Sequence, residues 1–186
     1  MLGHTEAIDE AVLLWTGVLE RVGAADLGAP SGCADWSNRE LVNHLVGGGD
    51  RYAILLRGGG EAEVAATRST DYLVDGDPVA PFWLFQNAFR DAMATADLDV
   101  EVEHRAGWRP GRQLVAMRVM ELALHAYDLA QGIGATWEPS DGLVEYLLVE
   151  AVPILDEFRG WGMVDAVGEA ASQRPVDRLL ALAGRH

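Results

Sequence analysis

The segment from Arg112 to Gln131 limits the fold more than any other. Read as a helix, it is apolar on nearly every side. Leu114, Met117 and Leu124 share one stripe; Val115, Val119, Leu122, Ala126 and Leu129 share another; Ala116, Ala123 and Ala130 share a third. Such a helix is stable only when other helices surround it. Gly132 and Gly134 supply its stop. Yet Glu121, His125 and Asp128 lie on the same stripe as Leu114, Met117 and Leu124. At about 100° per residue, Glu121 and His125 are one turn apart and point the same way.

A carboxylate turned into a core is costly unless it is neutralised or paired. The chain has no lysine. Arg118, at the edge of the stripe, is one available partner. A metal ion is the other, because Glu and His at i, i+4 project an oxygen and a nitrogen into one volume. His44 bears on the choice. It lies on the apolar face of an earlier helix, between Leu41, Leu45 and Gly48. Alone there, a histidine is more often a hydrogen-bonded core residue. Facing a buried Glu-x-x-x-His, it completes a ligand set, so we expect one divalent metal on His44, Glu121 and His125. Two imidazoles and one carboxylate suit zinc first, with nickel, iron(II) and manganese also compatible, and leave positions open for water or substrate. Asp128 reads equally as an acceptor behind the site or as a helix-end charge paired with arginine.

The rest of the chain supplies the surrounding helices. Ile8, Ala11, Val12, Trp15, Val18, Leu19 and Val22 mark a first helix with Thr5 as its N-cap. Ser37-x-x-Glu40 has the form of a capping box and opens the helix of His44, which stops at Gly58-Gly59-Gly60. Residues 61 to 76 read as a loop. Pro78 and Pro81 start a helix bearing Phe82, Phe85, Phe89 and Met93. Val100 and Val102 alternate with Asp99, Glu101 and Glu103 and mark a short strand or extended link, and Trp108-Arg109-Pro110-Gly111 a turn. A last long helix runs from Ser140 to Phe158 with a kink at Pro153, and Pro175 to Leu182 is a short closing helix. The pattern predicts one all-α domain over residues 1–186, a four-helix bundle with a long crossover between its second and third helices. Gly47, Gly48 and Gly49, inside a helix, make room for a ligand or for close packing.

With 29 acidic and 14 basic residues the formal net charge is −15, which argues against nucleic-acid binding and against adsorption to anionic membranes. One cysteine, Cys33, excludes an internal disulfide and fits a reducing, cytoplasmic setting. No basic n-region precedes an apolar run, so no signal peptide is expected. Cys33 has no positive neighbour in sequence and reads as outside the metal constellation. Trp36 reads as packing where its helix begins, and His4, His104 and His186 as solvent-exposed.

The run Asp35-Trp36-Ser37-x-x-Glu40-Leu41-Val42-x-His44-Leu45-Val46-Gly47-Gly48 resembles the mycothiol-dependent maleylpyruvate isomerase N-terminal domain family, within the DinB-like metalloproteins. The resemblance recurs at Glu121 to Ala130 and at Asp177 to Arg185. It implies a DinB-like bundle with a metal at one end, held by positions matching His44, Glu121 and His125. It also implies mycothiol or a similar thiol as cofactor or substrate. The isomerase has a second, C-terminal domain, for which 186 residues leave no room, so maleylpyruvate isomerisation itself is not expected. The expected activity is metal-dependent transfer of a thiol to a small electrophile, by a monomer or homodimer. The alternative is a non-enzymatic metal- or ligand-binding bundle, since fold alone does not imply function.

Overall fold

The computed structural model describes residues 1–74 and 76–185. Helix α1 (His4–Leu19) turns Ile8, Ala11, Val12, Trp15, Val18 and Leu19 inward. It begins on Gly3 rather than Thr5, because Glu6 reaches back to accept the Gly3 N–H at 2.9 Å. Helix α2 (Asn38–Leu56) starts where its capping box places it. Ser37 N–H donates to Glu40 Oε2 at 2.8 Å, and Glu40 N–H donates to Ser37 Oγ at 3.3 Å.

A short helix, α3 (Glu61–Ala66), occupies part of the expected loop. Val64 is its sole buried residue, too little apolar period to be seen in sequence, while Glu61 and Glu63 favour its first turn electrostatically. Helix α4 (Val79–Thr95) buries Phe82 and Phe89. Strands β1 (Glu101–His104) and β2 (Gly107–Pro110) then form an antiparallel hairpin, with Glu101 opposite Pro110 and His104 opposite Gly107. The expected turn at Trp108–Gly111 is therefore mostly strand. The chain reverses at Arg105–Ala106 instead, with Gly107 at φ 95°. Pro110 is tolerated because it ends a two-stranded edge, where its missing N–H breaks no interior ladder.

Helix α5 (Gly111–Ile133) ends on Gly134 in the left-handed conformation. The expected single helix from Ser140 is divided into α6 (Asp141–Tyr146), a π-helical turn (Leu147–Ala151) and α7 (Val152–Gly160). Pro153 cannot donate to the preceding turn, and the wider register just before it absorbs the missing bond. Helix α8 (Pro175–Leu182) follows. The described chain is thus mostly helical, with one two-stranded sheet.

Helix α2 faces α5; α4 packs on α2 and α1 on α5. The α2–α4 approach depends on Gly49, where a Cβ would come within 2.9 Å of the Phe85 carbonyl. Arg118 is completely buried in α5. It donates to the Leu45 carbonyl at 2.8 Å and twice to Gln86 Oε1, at 3.1 and 2.8 Å, joining three helices. The hairpin is held down by Arg109, whose buried guanidinium pairs with Glu157 of α7 at 3.1 Å. Among the described residues no helix is long and apolar enough to cross a membrane.

Candidate metal centre

The seam between α2 and α5 brings His44, Glu121 and His125 together. His44 Nε2 stands 3.9 Å from Glu121 Oε1. The His44 and His125 rings meet edge to face with centroids 5.3 Å apart. Trp36, from the segment before α2, closes one side, 4.9 Å from His44 and 6.1 Å from His125. It does more than pack beside its own helix. Tyr52, two turns along α2 from His44, donates to Glu121 Oε1 at 3.1 Å. Glu121 Oε2 is buried and has no hydrogen-bond partner. A Cβ on Gly48 would stand 3.2 Å from that oxygen and 2.7 Å from Arg118 Nη1. Gly48 therefore provides the space in which the oxygen sits. Arg118 spends its donors on Gln86 and Leu45 rather than on Glu121.

Burial pushes the His44 imidazole down to about 3 despite the attraction of Glu121. It is therefore neutral near pH 7, the form that ligates metals. Burial pushes the Glu121 carboxyl up, but its electrostatic coupling to His44, Arg118 and His125, of which the Arg118 guanidinium carries a fixed charge, outweighs it and holds the group below the usual carboxylate range. An ionised, buried carboxylate oxygen without a donor is a strong local demand for a cation.

His125 is oriented from behind. Its Nδ1 donates to Asp128 Oδ2 at 2.8 Å, which leaves the lone pair of the neutral ring on Nε2. Asp128 is also held by Arg185, whose Nε and Nη2 reach its two oxygens at 2.8 and 2.6 Å. Both sequence readings of Asp128 thus apply together. Arg185 arrives from the segment after α8, too far along the chain for helix periodicity to pair it with Asp128.

Cys33 departs from expectation. The loop before α2 is pinned to α5 by Gly32, whose N–H donates to the Asp128 carbonyl at 2.8 Å. Ligand atoms of Cys33, His125 and Asp128 consequently lie within 4.8 Å of one another, the one such trio found among the described residues. His44, Glu121 and His125 form a more open group. The two sets differ in charge balance. Arg185 already neutralises Asp128, and burial followed by the Asp128 charge pushes the Cys33 thiol up, away from the thiolate a metal needs. Glu121 has an oxygen with no such partner. The donors around Glu121 therefore fit a divalent ion of intermediate softness better than those around Asp128.

The group opens into a cavity of about 360 Å³ between α2, α3 and the β1–β2 turn, lined by His44, Glu121, Trp36, Tyr52, Met117 and Phe158 among others. His104 lines it too and is half-buried, contrary to its expected exposure. His4 is likewise half-buried, its Nδ1 2.7 Å from the Tyr146 hydroxyl. His186 lies outside the described residues. Sequence reasoning missed Tyr52, His104 and Arg185 as neighbours of the site. Tyr52 carried a signal in its spacing, on the same face of its helix as His44, and Arg185 as part of the closing motif of the family resemblance.

A family model described as the mycothiol maleylpyruvate isomerase N-terminal domain matches residues 9–130. Two uncharacterized proteins from two strains of Mycobacterium tuberculosis are each 25% identical over 188 residues, covering 100% of this chain and 97% of theirs. The crystal structure of the mycothiol-dependent maleylpyruvate isomerase superposes with a TM-score of 0.60 at 19% identity, over 89% of this chain and 75% of that one. A histidine-to-alanine variant of the same enzyme gives the same values. At that identity the likeness is one of fold.

Proposed function

The chain belongs to the mycothiol maleylpyruvate isomerase N-terminal domain family, and on that premise we propose that it is a DinB-like, metal-dependent enzyme that transfers a low-molecular-weight thiol, mycothiol or a close analogue, to a small electrophile. One observation carries the reading. Glu121, which lines the cavity, keeps one buried carboxylate oxygen without a donor while its other oxygen stands 3.9 Å from His44 Nε2, and the His44 ring meets that of His125 edge to face.

His44, Glu121 and His125 would hold the metal, with zinc favoured by the donor set. When bound, a divalent ion lowers the pKa of a thiol and stabilises its thiolate. The chain's own residues do the rest. Asp128 fixes the His125 tautomer and is itself fixed by Arg185. Tyr52 holds Glu121 Oε1 and leaves Oε2 free; burial keeps its phenol protonated and able to donate. Trp36 shields the two imidazoles on one side and excludes water. The thiol must come from outside, because Cys33 is held as the neutral thiol.

The test is elemental analysis of protein purified without a polyhistidine tag, followed by titration of the cobalt-substituted form with mycothiol or a simple aliphatic thiol. We expect about one metal per chain and a sulfur-to-cobalt charge-transfer band that is absent in His44→Ala. Metal without the band leaves a metal-binding bundle and overturns the transferase. Absence of metal overturns the ligand assignment.

A further inference from the structure

Two sets of donors meet at His125, and they use opposite nitrogens of its ring. Nε2 carries the lone pair available beside His44 and Glu121. Nδ1 stands 2.8 Å from Asp128 Oδ2, with one proton between them. On that second side lies Cys33. One ligand atom from each of Cys33, His125 and Asp128 falls within 4.8 Å of the other two. Metal bonds of about 2.0–2.3 Å set the donors of a tetrahedral ion about 3.3–3.8 Å apart. The three donors therefore need only small side-chain shifts to meet one ion.

The backbone brings the sulfur there. Gly32 N–H donates to the Asp128 carbonyl at 2.8 Å, and a Cβ on Gly32 would come within 2.9 Å of that oxygen. Cys33 N–H donates to Ser31 Oγ at 3.1 Å, and Trp36 N–H donates to the Cys33 carbonyl at 3.2 Å. These bonds hold the Cys33 backbone and not its sulfur. Without an ion the set is satisfied. Arg185 reaches both Asp128 oxygens, and burial followed by the Asp128 charge pushes the Cys33 thiol up. An ion of intermediate softness gains little by disturbing it. A thiophilic ion differs, because sulfur is its preferred donor and coordination expels the thiol proton outright. The thiolate then adds a second negative charge to that of Asp128, of which Arg185 cancels one.

We propose that Cys33, His125 Nδ1 and Asp128 form a site for one thiophilic divalent ion of the cadmium class, and that filling it excludes an ion from His44, Glu121 and His125. The exclusion follows from the protons of the ring. A neutral imidazole has one N–H and one lone pair. An ion on Nδ1 takes the place of the proton now shared with Asp128. The ring then keeps its proton on Nε2, where no lone pair is left for the other set. The balance is one proton released to solvent, from Cys33, for each ion bound; the His125 proton changes nitrogen and stays on the ring. Asp128 Oδ2 loses the imidazole donor and gains the ion, while Arg185 Nε keeps hold of Oδ1. Neither Cys33 nor Asp128 is among the residues lining the cavity. The ion therefore inhibits from behind, by withdrawing a ligand rather than by filling the place of the thiol. The exclusion rests on the proposed His44, Glu121 and His125 ligand set; the sulfur site does not.

The experiment is titration of the metal-free full chain with cadmium, read by the ultraviolet cadmium–thiolate charge-transfer band and by elemental analysis. The band should grow to an end point at about one cadmium per chain, survive in His44→Ala and vanish in Cys33→Ser. His125→Ala and Asp128→Asn should each weaken cadmium binding, and circular dichroism checks that every variant is folded. In the cobalt-substituted protein, cadmium should expel cobalt at a concentration that leaves cobalt in place in Cys33→Ser. A wild-type chain without the band, or a band lost in His44→Ala, overturns the sulfur site. So does undiminished affinity in both His125→Ala and Asp128→Asn, which leaves a lone thiol. Cobalt retained beside the cadmium–sulfur band, two ions per chain, overturns the exclusion. A Cys33-dependent band in a chain that never takes up cobalt removes the His44, Glu121 and His125 assignment and keeps the sulfur site.

Discussion

Helix α5 carries two buried carboxylates two turns apart, and the chain treats them differently. Asp128 receives a guanidinium from Arg185 and an imidazole from His125. Glu121 receives one phenol, and its second oxygen receives nothing. Both are depressed below ordinary carboxylate values even though burial alone would raise them, so both are ionised. A charge that the fold has neutralised holds structure in place. A charge left with one open oxygen, its other oxygen 3.9 Å from His44 Nε2, is where a ligand's charge is expected. On the proposed reading, the difference gives Asp128 a positioning role and Glu121 a ligating one.

The widest break between them is in metal content. Glu121→Gln, His44→Ala and His125→Ala should each take occupancy from about one ion per chain to near none, by elemental analysis after dialysis. Asp128→Asn should retain metal but bind it about 10- to 100-fold more weakly, the usual effect of losing an acceptor behind a ligating histidine, by competition with a chromophoric chelator. If Asp128→Asn loses metal outright while Glu121→Gln keeps it, the two roles are reversed.

Stability should run the other way. Asp128→Ala strands Arg185 in a site where its side chain is 17% exposed, and losing one partner of a buried pair costs about 3 kcal/mol or more. In metal-free protein Glu121→Ala should be neutral or stabilising by about 1 kcal/mol, because it deletes a buried charge without a full set of partners. Urea unfolding of both variants with chelator present measures the contrast.

The smallest effect is in acid. A depressed carboxyl contributes stability that is complete above its unfolded value, 4.5 for Glu121 and 3.8 for Asp128, and that is lost as pH falls through the lower folded value. Asp128→Asn should therefore flatten the acid limb of a metal-free stability profile below about pH 4, read by circular dichroism. An unchanged limb shows that Asp128 is not the group being protonated.

These residues also show how far sequence can be read. Glu121, His125 and His44 were legible because each breaks an apolar helical stripe, a conflict local to one helix. The start of α2 was legible because its capping box is contained in four residues. What lay beyond reach depends on distant segments meeting. Cys33 joins His125 only because Gly32 lets a loop lie flat on α5. Arg185 reaches Asp128 from 57 positions away. The hairpin was half legible: the alternation of Val100 and Val102 with acidic residues pointed to β1, while the turn residues of Trp-Arg-Pro-Gly hid its partner strand. The π-helical turn has no apolar signature, and only the later proline hints at it.

An enzyme of the proposed kind must also survive the electrophiles it handles. The cavity wall described above leaves few sites open to alkylation. Its cations are guanidiniums, which keep their protons and do not attack carbon, and the chain has no lysine amine to be modified. The free lone pair of His104 is covered by the Ala106 N–H. The Met117 sulfur faces the Arg109 guanidinium at 4.0 Å. Cys33, the one thiol, stays protonated and is not among the lining residues. Prolonged exposure to iodoacetamide should therefore leave the wall unmodified while a bound small thiol is consumed, so that turnover continues without self-inactivation.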